Sequence, residues 1–278
     1  MILSFASPGL PATLLSLSSL AALLAYGAAA GSGESSAGSR LRGLLVLAWL
    51  MHLLALVLDI AGFGAARPGA RFGFAPALSM TMWLVLAVYM VESRFVPLPG
   101  VRRVLAGLAA LCVILAWGFP GESRPLAVSP WAPLHWVMGL ASYGLFGVAV
   151  LHAAMLNKAE RQMRMKGPKG SMGPALLGLP LLRLERLTFQ FVAAGVVVLS
   201  LALLLGWWFT PQWKWDHKNL LSVLGWLVLT GLLTGRRVFG WRGRRATRWL
   251  YFGAALLLLA YAGSRFVLEV LLQRGGAY

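Results

Sequence analysis

The sequence predicts an all-α fold, a polytopic transmembrane helical bundle of about eight spans. Three observations carry that reading. Hydrophobic residues fill 59% of the 278 positions and charged residues only 12%, about half of what the surface of a soluble domain needs. The apolar residues come in eight runs, several close to the ~20 residues that cross a hydrocarbon core. The basic residues gather in alternate connections between those runs, which is the charge signature of membrane topology.

In order, the runs are 10–30, 43–62, 77–92, 103–118, 133–156, 186–208, 218–235 and 248–271. The first lacks the Lys/Arg flank of a signal peptide and is long enough to cross, so it reads as a retained span. The third and fourth are shorter and read as thin or tilted into the headgroups. The break between them is sharp, because Arg94, Pro97, Pro99, Arg102 and Arg103 are poor company in lipid. Together the runs make one integral membrane domain over 1–278.

Charge orients the spans. The connection at 31–42 carries Arg40 and Arg42, and that at 93–102 carries Arg94 and Arg102. The stretch 157–185 carries Lys158, Arg161, Arg164, Lys166, Lys169 and Arg183. The stretch 236–248 carries Arg236, Arg237, Arg242, Arg244, Arg245 and Arg248. The other three connections hold only Arg67, Arg71, Arg124 and Lys214. The positive-inside rule puts the richer set in the cytoplasm and both termini on the outer, periplasmic side of a bacterial inner membrane. The run Gly167-Pro-Lys-Gly-Ser-Met-Gly-Pro174 makes 157–185 a flexible cytoplasmic linker, dividing five spans from three. No internal repeat is evident.

The net charge of +17 would suggest nucleic acid as a partner for a soluble protein. Here the charge flanks apolar runs, so the expected partner is the lipid bilayer and not nucleic acid. Cys112 is the single cysteine and lies inside an apolar run, which excludes an intramolecular disulfide or a CxxC pair. The sequence has no GxxxxGK[ST], no HExxH and no cluster of intramembrane carboxylates. Glu92 and Glu269 fall near span ends. ATP-driven transport by this chain is excluded, proton-coupled transport is disfavoured, and no complete catalytic constellation appears.

Ionisable residues at membrane depth are costly and point to function. His52 lies near the middle of the second span, where a neutral imidazole serves either as a hydrogen-bonding group between helices or as a haem or metal ligand. Asp59, seven residues on, shares its helical face. It is expected to be wet or paired with a loop arginine such as Arg67. His135 opens the fifth span between Trp131 and Trp136, either in an interfacial aromatic belt or as an axial ligand at the mouth of a pocket. His152 lies seventeen residues further, about 25 Å along the same helix. It cannot share a small site with His135 and is expected at the cytoplasmic interface. The richest stretch is 206–218, with Trp207, Trp208, Trp213 and Trp215 beside Asp216, His217 and Lys218. A tryptophan belt explains the rings alone. The added polar cluster suggests flat rings against a macrocycle, Lys218 toward a propionate and His217 toward iron or a propionate. Asp216 is also placed to cap the seventh helix.

These segments resemble a known family. Trp213-Lys-Trp215-Asp216-His217-Lys218 is similar to the tryptophan-rich segment of cytochrome c assembly proteins of the CcsA/ResC type. Leu134-His135-Trp-Val-Met-Gly-Leu-Ala-Ser142-Tyr143 is similar to that family's His-x6-Ser-Tyr span start. Gly240-Trp-Arg-Gly-Arg-Arg245 with Ala260-Tyr-Ala-Gly-Ser-Arg-Phe266 resembles the short inner-membrane YpjD branch, related to HemX. The resemblance implies a haem-binding membrane protein that holds or delivers non-covalent, b-type haem at the outer face in cytochrome biogenesis, alongside other biogenesis membrane proteins. It assigns His135 as the outer axial histidine, His52 as a transmembrane histidine, and Trp213, Trp215 and Asp216 to the motif. His217 is the candidate second iron ligand. The sequence departs from the family in having no histidine after the motif's own segment and His217-Lys218-Asn219 in place of Pro-Lys-Glu. Those departures keep open a rival reading, a non-haem scaffold or regulator of another membrane protein or a tetrapyrrole-pathway enzyme.

Overall fold

The structure, a computed structural model, describes residues 9–32, 38–62, 70–94, 99–124, 131–165, 181–210 and 215–272. Among the described residues are eight helices long and apolar enough to cross a membrane. They are α1 (Leu10–Gly31), α2 (Gly38–Ile60), α3 (Phe74–Glu92), α4 (Pro99–Gly118), α5 (Ala132–Met165), α6 (Leu181–Phe209), α7 (His217–Phe239) and α8 (Gly243–Leu271). Two three-residue strands, β1 (Ala70–Phe72) and β2 (Glu122–Arg124), pair antiparallel with Arg71 opposite Ser123.

The third and fourth spans are longer than their apolar runs. Pro99 opens α4, where a missing N–H costs nothing. Arg102 and Arg103 therefore sit inside the helix and not in the break before it. Their Nη2 atoms reach the Ser32 carbonyl at 3.3 and 3.2 Å, just past the end of α1. Cations there complement the carbonyl-rich end of α1. The 157–185 stretch is helical at both ends, since α5 runs to Met165 and α6 starts at Leu181. With 34 residues α5 is about 50 Å long, more than a bilayer core requires.

The chain forms two compact units, and the five-plus-three division expected from the sequence is not how they fall. One unit takes in Met1–Ala87, Leu98–Val128 and Arg265–Tyr278; the other takes in Val88–Pro97 and Ser129–Ser264. The fifth helix belongs with α6, α7 and most of α8, because α5 packs along α6 and against α8.

In the first unit α1 packs on α2 and α4 through small residues. Ser18, Ser19, Ala22, Ala25, Tyr26 and Ala29 recur at helical spacing on one buried face. Between helices in lipid, small side chains permit the close approach that replaces a hydrophobic drive. Trp49 and Trp83 join α2 to α3: each indole Nε1 donates to the other's backbone carbonyl at 3.1 Å, and the rings stack at 4.4 Å.

In the second unit Phe146, Phe189, Val192, Val196, Leu199, Leu229, Leu250 and Leu257 form the core. Phe146 lies over Gly195, where a Cβ would stand 2.6 Å from its ring. Gly225 and Gly253 receive Leu257 and Leu229 in the same way across the α7–α8 contact. The outward faces carry exposed Leu24, Val46, Leu111, Val197 and Leu227, side chains that lipid and not water accommodates.

The last helix is irregular. It is α-helical to Leu258, π-helical over Leu259–Gly263, and π-helical again over Val267–Leu271. Such π turns often mark functional positions.

Candidate functional site

His135 sits on the first turns of α5, against the last turns of α6. Its Nδ1 lies 2.8 Å from the Ala202 carbonyl, and a carbonyl only accepts, so Nδ1 carries the proton. Nε2 is then the lone-pair nitrogen, and it has no hydrogen bond among the described residues. The ring meets Phe209 edge-on at 5.6 Å. Gly206 lies directly under it: a Cβ there would stand 2.8 Å from Cε1 and 3.1 Å from Nδ1. Trp131 and Trp208 pack together at 5.7 Å at the same end of these two helices.

The start of α7 supplies the polar cluster. Asp216 is the N-cap, its carboxylate accepting from the Asn219 N–H at 2.8 Å. That bond accounts for an acid at this position. His217 opens the helix, is exposed, and has no hydrogen bond or ion pair among the described residues. Lys218 places Nζ 5.8 Å from the centre of the Tyr261 ring, on the first π segment of α8. Trp215 is 69% exposed and lines an apolar groove of about 290 Å³ with Leu203, Leu204, Trp207 and Val223. Trp213 lies outside the described residues.

His52 is in the first unit and is 1% exposed. Both ring nitrogens are engaged by hydroxyls: Nδ1 with Tyr26 Oη at 3.1 Å and Nε2 with Ser79 Oγ at 2.7 Å. A metal could bind this imidazole only by displacing one of them. Asp59 is not wet: it is buried and pairs at 3.4 Å with Arg71 on β1, while Arg67 lies outside the described residues. Arg71 also donates from Nε to the Gly121 carbonyl at 2.9 Å, which fixes it over the carboxylate.

His152 is buried within the second unit. Its Nδ1 donates to the Val148 carbonyl at 2.9 Å, and Nε2 lies 3.0 Å from Glu92 Oε2 at the end of α3. It stacks on Phe191 at 5.4 Å. Sequence reading placed both residues near span ends but had no signal for their pairing, which depends on how α3 and α5 meet.

The chemistry that this arrangement offers is ligation. One half-buried imidazole has its tautomer set by a backbone carbonyl, its outward nitrogen open, and a cation and exposed indoles nearby in the same unit. No group of three or more His, Cys, Asp or Glu side chains able to hold a metal ion occurs among the described residues. The sequence reading missed Gly206, Ala202 and Phe209. The glycine was the available signal, since glycine inside an apolar helix costs about 1 kcal/mol and so points to a close contact.

Residues 40–272 match the protein family described as "Cytochrome C assembly protein". The chain is 28% identical to "Inner membrane protein YpjD" of Escherichia coli strain K12 over 232 residues, covering 81% of this chain and 85% of the relative. It is 30% identical over 236 residues to an uncharacterized 28.8 kDa protein of Azospirillum brasilense, covering 78% and 85%. It is 23% identical over 222 residues to "Cytochrome c biogenesis protein CcsA" of Synechococcus sp. strain CC9311, covering 67% and 73%. No solved structure matches it significantly.

Proposed function

The chain belongs to the cytochrome c assembly protein family, as a multi-pass inner-membrane protein, and from that premise we propose that it binds haem in the membrane and holds or delivers it at the outer face during cytochrome biogenesis. The observation that carries this reading is His135. Histidines that ligate metals characteristically donate their other ring N–H to a backbone carbonyl or carboxylate, which fixes the tautomer and raises ligand basicity. The Ala202 carbonyl does this for His135 and leaves Nε2 as the ligating atom. Gly206 keeps the imidazole's flank clear of a side chain.

Around that ligand, Lys218 supplies a cation for a propionate, and Trp215 supplies an exposed aromatic face beside an apolar groove. His217 supplies the second imidazole, at the exposed start of α7. Non-covalent haem brings an iron that accepts axial imidazoles and a flat apolar ring that stacks on indoles. The outer placement rests on the distribution of Lys and Arg among the connections.

A second reading, a non-haem scaffold or regulatory partner, is favoured by one observation: His52 has both ring nitrogens bonded to hydroxyls. Purified protein decides between the two. The haem reading expects a Soret band that is lost in His135→Ala and shifted in His217→Ala. Colourless protein after haem supplementation, with function intact in both variants, establishes the scaffold instead.

A further inference from the structure

We propose that the turn joining α7 to α8 is a binding site for an anionic phospholipid. The turn is tightly built. Gly240 adopts φ 65°, and the Trp241 N–H returns to the Gly235 carbonyl at 3.4 Å. The Trp241 ring then covers Gly235, where a Cβ would stand 2.5 Å from it. Both flanking helices are long and apolar enough to span, so the turn lies at headgroup depth.

Five arginines converge there. Arg237, Arg242, Arg244, Arg245 and Arg248 are all exposed. Two carboxylates approach this end of the unit. Glu185 is taken by Arg236 at 3.0 Å and lies 3.9 Å from Arg242. Glu160 lies near Gly243, with Oε1 3.8 Å from where a Cβ would sit. Arg237, Arg244 and Arg248 make no ion pair among the described residues. The N-cap of α8 is Arg242, with no capping side chain, and its first turn holds no acid. Its N–H groups and the guanidinium groups therefore present one sign of charge to the headgroup layer.

Among the arginines an aromatic ladder runs from the turn along the start of α8. Phe239 stacks on Trp241 at 6.1 Å, Trp241 on Trp249 at 6.5 Å, and Trp249 meets Phe252 edge-on at 6.1 Å. The Arg245 guanidinium lies 4.5 Å from the Trp241 ring centre, holding a charge at the top of the ladder. Phe239, Trp249 and Phe252 are exposed. Positive charge around the turn and an exposed aromatic wall that reaches down α8 to Phe252 match a phosphodiester headgroup and its acyl chain. They do not match a soluble acidic partner, which has no use for that wall. A zwitterionic headgroup brings its own cation to the arginines, so the site selects net-negative lipids.

The test is native mass spectrometry of the full-length protein released from nanodiscs of mixed phosphatidylglycerol and phosphatidylcholine. Retained phosphatidylglycerol is expected to exceed phosphatidylcholine by about thirty-fold, the effect of two well-placed arginines. The preference is lost in R244Q/R245Q/R248Q, largely kept when the same three become lysine, and weakened at high salt. Equal retention of the two lipids overturns the proposal, as does a preference that survives the triple glutamine variant. If that variant does not fold, the exposed single substitutions R237Q and R244Q stand in, and each must lower the preference. Trp249→Ala must lower total lipid retention; if it changes nothing, the ladder does not hold the lipid and the site as drawn is wrong.

Discussion

Gly206 lies so close beneath His135 that a Cβ at this position would stand 2.8 Å from the imidazole Cε1, nearer than carbon atoms approach without displacement. Gly206→Ala should therefore push the ring off the Ala202 carbonyl and free its tautomer. The expected result is loss of haem per protein to the level of His135→Ala, with a stability cost of about 1–3 kcal/mol from overpacking. Gly139→Ala is the control, because nothing lies within 4 Å of its would-be Cβ. It should keep the Soret band and raise the unfolding temperature slightly. Normal haem content in Gly206→Ala removes the positional argument for His135.

His52 allows a test of what a buried histidine is for. Its two hydroxyl partners, Tyr26 and Ser79, come from α1 and α3. Ser79→Ala leaves Nε2 buried without a partner, and Tyr26→Phe does the same to Nδ1. Each should cost about 1–3 kcal/mol in detergent unfolding. If His52 serves only to join these helices, His52→Gln should retain most of the stability and all of the haem. Loss of a distinct haem species in His52→Gln, with stability kept, assigns it to ligation instead.

How far the fold could be read from the sequence follows from which forces act locally. Eight spans were legible because lipid demands runs of apolar residues, and a run is a local property. The grouping of α5 with α6–α8 was not, because it depends on Gly195 receiving Phe146 from another helix. Arg102 and Arg103 looked like span-breaking charges, yet their targets on the Ser32 carbonyl allow them inside α4. In the candidate site, His135 and Lys218 were visible as ionisable residues in an aromatic stretch. Ala202 and Tyr261 were not, because one contributes only a backbone carbonyl and the other depends on a π turn to meet Lys218.

Asp216 separates two roles that the sequence left together. As N-cap of α7 it bonds the Asn219 N–H at 2.8 Å. Asp216→Asn keeps an N-cap oxygen and should leave both stability and haem content near the parent values. Asp216→Ala should cost about 1 kcal/mol, with haem lost only in proportion to unfolded protein. Haem loss in a fully folded Asp216→Asn variant would show that the negative charge itself belongs to the site.

The His152–Glu92 pair predicts an asymmetry between two substitutions of the acid. With Nδ1 donating to the Val148 carbonyl, Nε2 faces Glu92 Oε2 at 3.0 Å. Glu92→Gln offers an amide N–H to Nε2, so the bond survives and the effect should stay within about 1 kcal/mol. Glu92→Leu leaves a buried ring nitrogen unpaired and should cost about 1–3 kcal/mol. Equal effects from the two variants, measured by thermal unfolding, would mean that the pair is not a hydrogen bond in the membrane.

Trp49 and Trp83 offer the cleanest measure of coupling between helices in the first unit. Each indole donates to the carbonyl of the other residue at 3.1 Å, and the rings lie within 13° of parallel. Trp49→Phe and Trp83→Phe each remove one donor and keep an aromatic face, while the carbonyls that lose a donor can still accept within their own helices. Each single change should cost about 0.5–1.5 kcal/mol. The pair should be less than additive, because one loss loosens the stack on which the second bond depends. A double-mutant cycle is therefore expected to give a coupling energy of about 0.6 kcal/mol or more. A coupling of zero would mean that the two bonds form independently, and that α2 and α3 are held together by other contacts.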